Sequence, residues 1–379
     1  MRLVIAPNAY KECLSAPEVA KAMASGARKA SPDLEILEVP LADGGDGTTE
    51  ALVSARQGRF IDITVRDPLM RPVPARYGLI DEDRTAVIEM AAASGLWHLQ
   101  DHEKNPLRTT TYGTGEMIRD ALDRGVDTLI VGIGGSATTD AGLGMAAALG
   151  YRLLDRHGNE IEPVGGAMAS LASIDSSQVH PRLRQVKMRV ASDVTNPLLG
   201  PHGAAPVYGP QKGATPEMIR ELEMGLANVA RCWEKELGIR VVDQPGGGAA
   251  GGLGAGLMAF CGAEIRSGFD LIADCAGLDE SLQGASLALT GEGKIDASTR
   301  FGKVPAGVAR RAEKQGVPVV ALAGHLAGDV RSLLSESLIA LFSITPGPMT
   351  LREAMATTRE NLELTTEQVI RVWLRPGRK

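Results

Sequence analysis

Five short apolar runs, each followed by a turn and then a helical pattern, constrain this chain more than any other feature. They are LVI at 3–5, EILEV at 35–39, TLIV at 128–131, LAL at 287–289 and VPVVAL at 317–322. Strands that are apolar nearly throughout are buried on both faces, and strand–helix alternation brings parallel strands side by side. The pattern therefore predicts an α/β chain on a doubly wound parallel sheet. Helix starts agree with it. Ser15, Pro17 and Glu18 form a capping box ahead of Val19, Ala20, Met23 and Ala27 on one face, and Thr215 with Pro216 caps a helix running toward Leu237.

With 379 residues the chain exceeds what one core usually accommodates, so two domains are expected. The stretch 60–90 alternates as antiparallel strands do, and 151–210 is rich in turns. The division this predicts is 1–54, 106–150 and 284–379 in the parallel-sheet domain, and 55–105 with 151–283 in a second, inserted α+β domain. A frayed end is expected over 375–379.

Charge narrows the partners. The net charge is −6, the 40 Lys and Arg are scattered and aromatics make up 3%, so the basic stripe and stacking surface of a nucleic-acid binder are missing. No stretch has the length and apolarity of a membrane span, and the first residues read as a strand without a signal-peptide pattern, so a cytoplasmic protein is expected. The four cysteines lack metal-site spacing. A homo-oligomer is left open. The 45 glycines, free of collagen periodicity, imply many turns and close backbone approaches.

Several of those turns carry chemistry. ADGGDGT at 42–48 sets Asp43 and Asp46 after a strand, which suits Mg²⁺, though an Asp N-cap on a tight turn reads equally well. At 132–142 a glycine turn with Ser136 and Thr138 leads into a small-residue helix, an anion site or simply a close-packed helix entry. Gly246, Gly248 and Gly251 make one G-x-G-x-x-G match in a segment that also holds Gly247 and Gly252. A loop around nucleotide phosphates and a packed helix both fit it, and no P-loop signature exists. TGEGKID at 290–296 is expected to turn at a strand end, with Glu292 and Asp296 for a metal and Lys294 for phosphate. Asp193 follows a strand and suits a general base for a hydroxyl, with Asx-turn capping as the alternative. Asn196, Lys212 and Lys11 occupy neighbouring or equivalent loops.

With these segments in view, the sequence resembles the type I glycerate kinase family from end to end. The motifs, in order, are APNAYK at 6–11, ADGGDGT at 42–48, EMAAASGL at 89–96, TTTYGTG at 109–115, GGSAT at 134–138, SDVTNPL at 192–198, GPQKGA at 209–214 and TGEG at 290–293. The resemblance implies phosphorylation of D-glycerate from ATP and Mg²⁺, usually at the 2-hydroxyl. It also implies a Rossmann- or flavodoxin-like domain paired with a second α/β domain, with the active site in the cleft between them. Asn8, Ala9, Tyr10 and Cys13 depart from the family's Pro-Asp-Ser-Phe-Lys-x-Ser-Leu, and Lys294 replaces its more usual arginine.

Chemistry and loop position assign the roles. Asp193 is the base, with Lys212 and Lys11 as further catalytic groups. Ser136, Thr138 and Asn196 bind substrate. The glycines 246, 247, 248, 251 and 252 with Lys294 bind nucleotide, and Asp43, Asp46, Glu292 and Asp296 bind metal. Two rivals are a nucleotide-cofactor dehydrogenase acting on a hydroxy acid, resting on the glycine spacing, and a non-catalytic sugar-acid sensor.

Overall fold

The structure is a computed structural model that describes residues 1–300 and 302–375. The expected frayed end lies, apart from Arg375, outside the described residues. The strands are β1 (Arg2–Ile5), β2 (Glu35–Glu38), β3 (Arg59–Arg66), β4 (Pro72–Ile80), β5 (Thr85–Glu89), β6 (Thr128–Gly132), β7 (Arg152–Leu154), β8 (Ser173–Asp175), β9 (Lys187–Ala191), β10 (Glu264–Arg266), β11 (Leu287–Ile295), β12 (Val319–Leu326) and β13 (Leu338–Ser343). They divide between two compact units. Unit 1 comprises 1–43, 50–57 and 267–379, and unit 2 comprises 44–49 and 58–266.

Unit 1 is built on an all-parallel sheet in the order β13-β12-β11-β1-β2. Numbered within the unit, the order is 2-1-3-4-5, the flavodoxin-like arrangement. Leu3, Ile5, Leu287, Leu289, Val320 and Leu322 fill its core against Val19, Met23 and Ala27. Those last three lie on the apolar face of the helix Ala16–Ala30, whose start is fixed as expected: the Ser15 N–H donates to Glu18 Oε2 at 3.0 Å.

Unit 2 carries a six-stranded sheet in the order β10-β9-β6-β5-β4-β3. β10, β9, β6 and β5 run parallel, and β5, β4 and β3 are antiparallel neighbours, as the alternation over 60–90 predicts. Ile88, Leu129, Val131, Met188, Val190 and Trp233 lie in its core. The helix Pro216–Cys232 begins at Thr215, whose hydroxyl accepts from Met218 N at 3.3 Å, and continues as a turn over Trp233–Leu237.

Two expectations change. Segment 106–150 belongs to unit 2, because β6 pairs with β5 on one side and β9 on the other, and 267–283 belongs to unit 1. Arg311 explains the latter, since its guanidinium bonds Asp270, Asp274 and Asp279 at 2.7–2.8 Å. The second change concerns 290–296. Instead of turning after Leu289, the chain stays in β11 through Ile295, paired with β12 as far as Ile295↔Leu326. Glycine makes the crowding there tolerable: a Cβ on Gly291 would lie 2.3 Å from the Leu322 carbonyl oxygen and 3.0 Å from the Tyr10 hydroxyl.

Candidate functional site

In unit 1 a cavity of about 600 Å³ opens where β1, β11, β12 and β13 end. Lys11, Asp43, Glu292 and Lys294 line it, so four residues expected to carry chemistry meet there. Because β11 persists, Glu292 and Lys294 project from the same face of one strand. Glu292 is 6% exposed, accepts from the Thr299 hydroxyl at 2.8 Å and lies 4.0 Å from the Lys303 ammonium. Burial pushes its carboxyl above the usual range and the negative charges of Asp43 and Asp296 add to the shift, against the pull of Thr299 and Lys303. Asp296, held by the Ser298 hydroxyl and N–H and paired with Lys294 at 3.2 Å, goes the other way, down to about 2.

Asp43 and Asp296 are therefore close enough to influence Glu292, and all three are hard oxygen donors. Excess negative charge around a buried carboxylate is what a divalent cation relieves, so the set fits Mg²⁺. Among the described residues no group of three or more His, Cys, Asp or Glu forms a preformed metal cage. Asp46 parts from the other three. It belongs to unit 2, where a Cβ on Gly135 would lie 3.3 Å from its Oδ1 and its charge helps raise the Glu89 carboxyl, itself lifted mainly by burial.

Tyr10, one of the departures from the family pattern, is buried and donates its hydroxyl to the Leu322 carbonyl at 2.9 Å. Asn8 takes part through its backbone, its N–H donating to the Gly291 carbonyl at 2.8 Å, and through Oδ1, which accepts from Ala9 N. Both residues shape the wall.

In unit 2 the candidates gather at the carboxyl ends of parallel strands: Ser136 and Thr138 after β6, Asp193 after β9 and Glu89 closing β5. The turn at 134–138 is pinned on two sides. Leu96 N donates to Gly135 O and Ala137 N to Ser94 O, each at 2.9 Å, and the Thr109 hydroxyl donates to Ala137 O at 3.2 Å. Lys212 is 1% exposed and gives its ammonium to the Thr138 carbonyl at 2.6 Å. Desolvation lowers it to about 7 in spite of the opposing charge of Asp140. Asp140 is fully buried and accepts from Thr111 N, Thr111 Oγ1, Gly142 N and Gly144 N at 2.8–3.1 Å. The buried hydroxyls of Thr138 and Thr139 have no hydrogen-bond partner among the described residues. Unsatisfied buried hydroxyls beside a buried lysine make this turn a candidate anion site.

Three expectations look different in this light. Lys212 is sealed behind the turn instead of standing in the open. Both polar groups of the Asn196 amide are engaged within the loop, Nδ2 donating to His202 O and Oδ1 accepting from Tyr208 Oη at 2.8 Å each. The residues 246–257 are buried throughout, and the N–H groups of Gly247 and Gly248 are already bonded to Gln244 O and Asn196 O. Gly251, at φ +67°, sits where a Cβ would fall 2.0 Å from the Thr138 carbonyl oxygen. In unit 2 these glycines bring one backbone against another.

Sequence reasoning gave no role to Lys303, Glu89 or Asp140. Glu89 lies inside the quoted EMAAASGL motif and caps the 44–49 loop by accepting from Thr49 N at 2.7 Å and Gly47 N at 3.2 Å. An acid closing a buried strand was the available signal. For Lys303, just before Val304 and Pro305 at a helix start, no local signal separates it from an ordinary surface lysine.

Lysines, carboxylates and a hydroxyl-bearing turn at the carboxyl ends of parallel strands in both units are the equipment of an α/β phosphotransferase. Comparison with known proteins makes the class specific. Residues 3–374 match the Glycerate kinase family. The chain is 47% identical to the glycerate kinase of Bacillus subtilis over 369 residues, 97% of each protein. It is also 47% identical to the glycerate 2-kinase of Escherichia coli over 362 residues, 96% of this chain and 95% of that one. A crystal structure from Salmonella typhimurium LT2, its protein provisionally named glycerate kinase 2, superposes with a TM-score of 0.91 at 48% identity and covers 98% of both chains. The chain belongs to the glycerate kinase family. Among the described residues, no helix is long and apolar enough to cross a membrane.

Proposed function

We propose that the protein transfers the γ-phosphoryl group of ATP to the 2-hydroxyl of D-glycerate, giving 2-phosphoglycerate and ADP. The observation that carries this reading is membership of the glycerate kinase family along the whole chain, with the family's polar motifs standing at strand ends. Phosphoryl transfer asks a protein mainly for positioning and charge neutralisation, which lysines, carboxylates and oriented hydroxyls supply.

In this proposal Asp193, exposed after β9, accepts the proton of the 2-hydroxyl as that oxygen forms its bond to the γ-phosphorus and the bond to the β,γ-bridging oxygen breaks. Ser136 and the orphaned Thr138 and Thr139 hydroxyls receive the glycerate carboxylate. Lys212 contributes from behind, holding the Thr138 carbonyl and lending the turn its positive charge. Asp43, Glu292 and Asp296 would hold Mg²⁺, with Asp46 a separate unit 2 carboxylate. The ion, when bound, neutralises charge on the transferring phosphate. Lys11 and Lys294 face the phosphates.

The test is cofactor dependence with the purified protein. ADP release that requires both D-glycerate and ATP is expected. NAD reduction by glycerate without ATP would replace this reading with the dehydrogenase one.

A further inference from the structure

We propose that the unit 1 cavity is the nucleotide site, its purine lying against Ile344, Leu351 and Met355 from the carboxyl-terminal part of the chain and its polyphosphate toward Lys11, Lys294 and Lys303. The location deepens the kinase reading above and rests on it.

Topology is the first argument. From β1 the chain proceeds to β2 on one side of the sheet, whereas from β11 it proceeds to β12 and β13 on the other. Connections that part in this way leave a crevice beyond the carboxyl ends of the two central strands, where open parallel sheets bind their ligands. The cavity is lined by the loop after β1, by the end of β11 and by the residues closing β12 and β13.

Chemistry is the second. A nucleotide is an apolar plate at one end and a polyanion with its cation at the other. The cavity has the side chains for both ends: three lysines and the Asp43 and Glu292 carboxylates from the loops and strand ends, and branched and thioether side chains from Ile344, Leu351 and Met355. At about 600 Å³ it lies within the 300–1,000 Å³ typical of small-ligand pockets. Leu351 is 76% exposed at this wall, apolar surface that a base would cover. Asn361 adds an amide there, its Nδ2 donating to the Thr357 hydroxyl at 3.0 Å and its Oδ1 an acceptor for a purine amine. The segment 246–257, the other nucleotide candidate, is buried and packed.

Cys13 lines the cavity and provides a test on the unaltered protein. Cys232 and Cys261 are buried, and the half-buried Cys275 is an internal reference outside the lining. With a saturating non-hydrolysable ATP analogue and Mg²⁺, labelling of Cys13 by N-ethylmaleimide, followed by peptide mass spectrometry, is expected to slow by about tenfold or more while Cys275 is unaffected. Equal labelling of Cys13 with and without nucleotide would overturn the assignment. A second arm needs no thiol chemistry: Ala354→Trp fills the cavity and should raise the KM for ATP by about tenfold with the KM for glycerate within about twofold. An unchanged KM for ATP in that variant would also overturn it. If glycerate is not phosphorylated at all, nucleotide protection of Cys13 still reports on the cavity. If glycerate is phosphorylated and Cys13 stays unprotected, the cavity assignment alone falls.

Discussion

The two candidate sites handle charge in opposite ways. At the unit 1 strand ends the lysines are accessible, Lys294 with 59% of its side chain exposed and Lys303 with 36%, and they can follow a ligand that comes and goes. In unit 2 Lys212 and Asp140 are buried, and both are fastened to backbone. The difference teaches that the same residue type serves different ends: an exposed lysine is available to a mobile phosphate, whereas a sealed one fixes the shape and potential of a turn. Substitutions in the first site should appear mainly in binding constants, and those in the second in stability as well.

The largest expected effect breaks the pattern within unit 2, because Asp193 is exposed there. Asp193→Asn should lower kcat by roughly 10²–10⁴-fold, the usual worth of a general base, with the fold retained by circular dichroism. Turnover within a few-fold of wild type would remove Asp193 from the base role. Next comes Lys212→Met, which leaves the buried Thr138 carbonyl without its ammonium donor. It should cost about 1–3 kcal/mol of stability in denaturant titrations, and no measurable loss would show that Lys212 does not hold the turn.

The same lysine makes a pH prediction. Its folded-state value of about 7 lies below the ordinary lysine value of 10.5, so between these the unfolded chain binds more protons. Wild-type stability should therefore gain a contribution as pH rises from 7 toward 10, and K212M should lack it.

Gly251→Ala separates packing from ligand contact in the glycine segment. With a Cβ 2.0 Å from the Thr138 oxygen, it should destabilise by about 2 kcal/mol while the KM for ATP in the surviving folded protein hardly moves. Glu292→Gln should raise the Mg²⁺ concentration for half-maximal activity by about tenfold. In the wild type that concentration should also rise as the pH falls through the raised range of Glu292, since only the carboxylate binds a cation. The smallest effect is at the exposed Lys294–Asp296 pair, where Lys294→Met should change stability by less than about 1 kcal/mol.

What could be read in advance follows the range of the interactions. The five apolar runs announced parallel strands, four of them buried and EILEV the half-exposed edge strand β2, and Ser15 and Thr215 announced helix starts, because both signals are local. The partners of a strand are not local. Nothing in TLIV says that β6 lies between β5 and β9, so by sequence alone 106–150 reads as part of the parallel-sheet domain. Glycine misled at 290–293, where close approach to Tyr10 and Leu322, not a turn, required it. The burial of Lys212 was equally invisible, since GPQKG reads as an open loop until Thr138 and Asp140 are placed beside it.

The measurement closest to the central claim is product identification. With purified protein, ATP, Mg²⁺ and D-glycerate, phosphorus NMR should show a 2-phosphoglycerate resonance growing in step with ADP. Formation of 3-phosphoglycerate alone, or ATP left intact in the presence of glycerate, would contradict it.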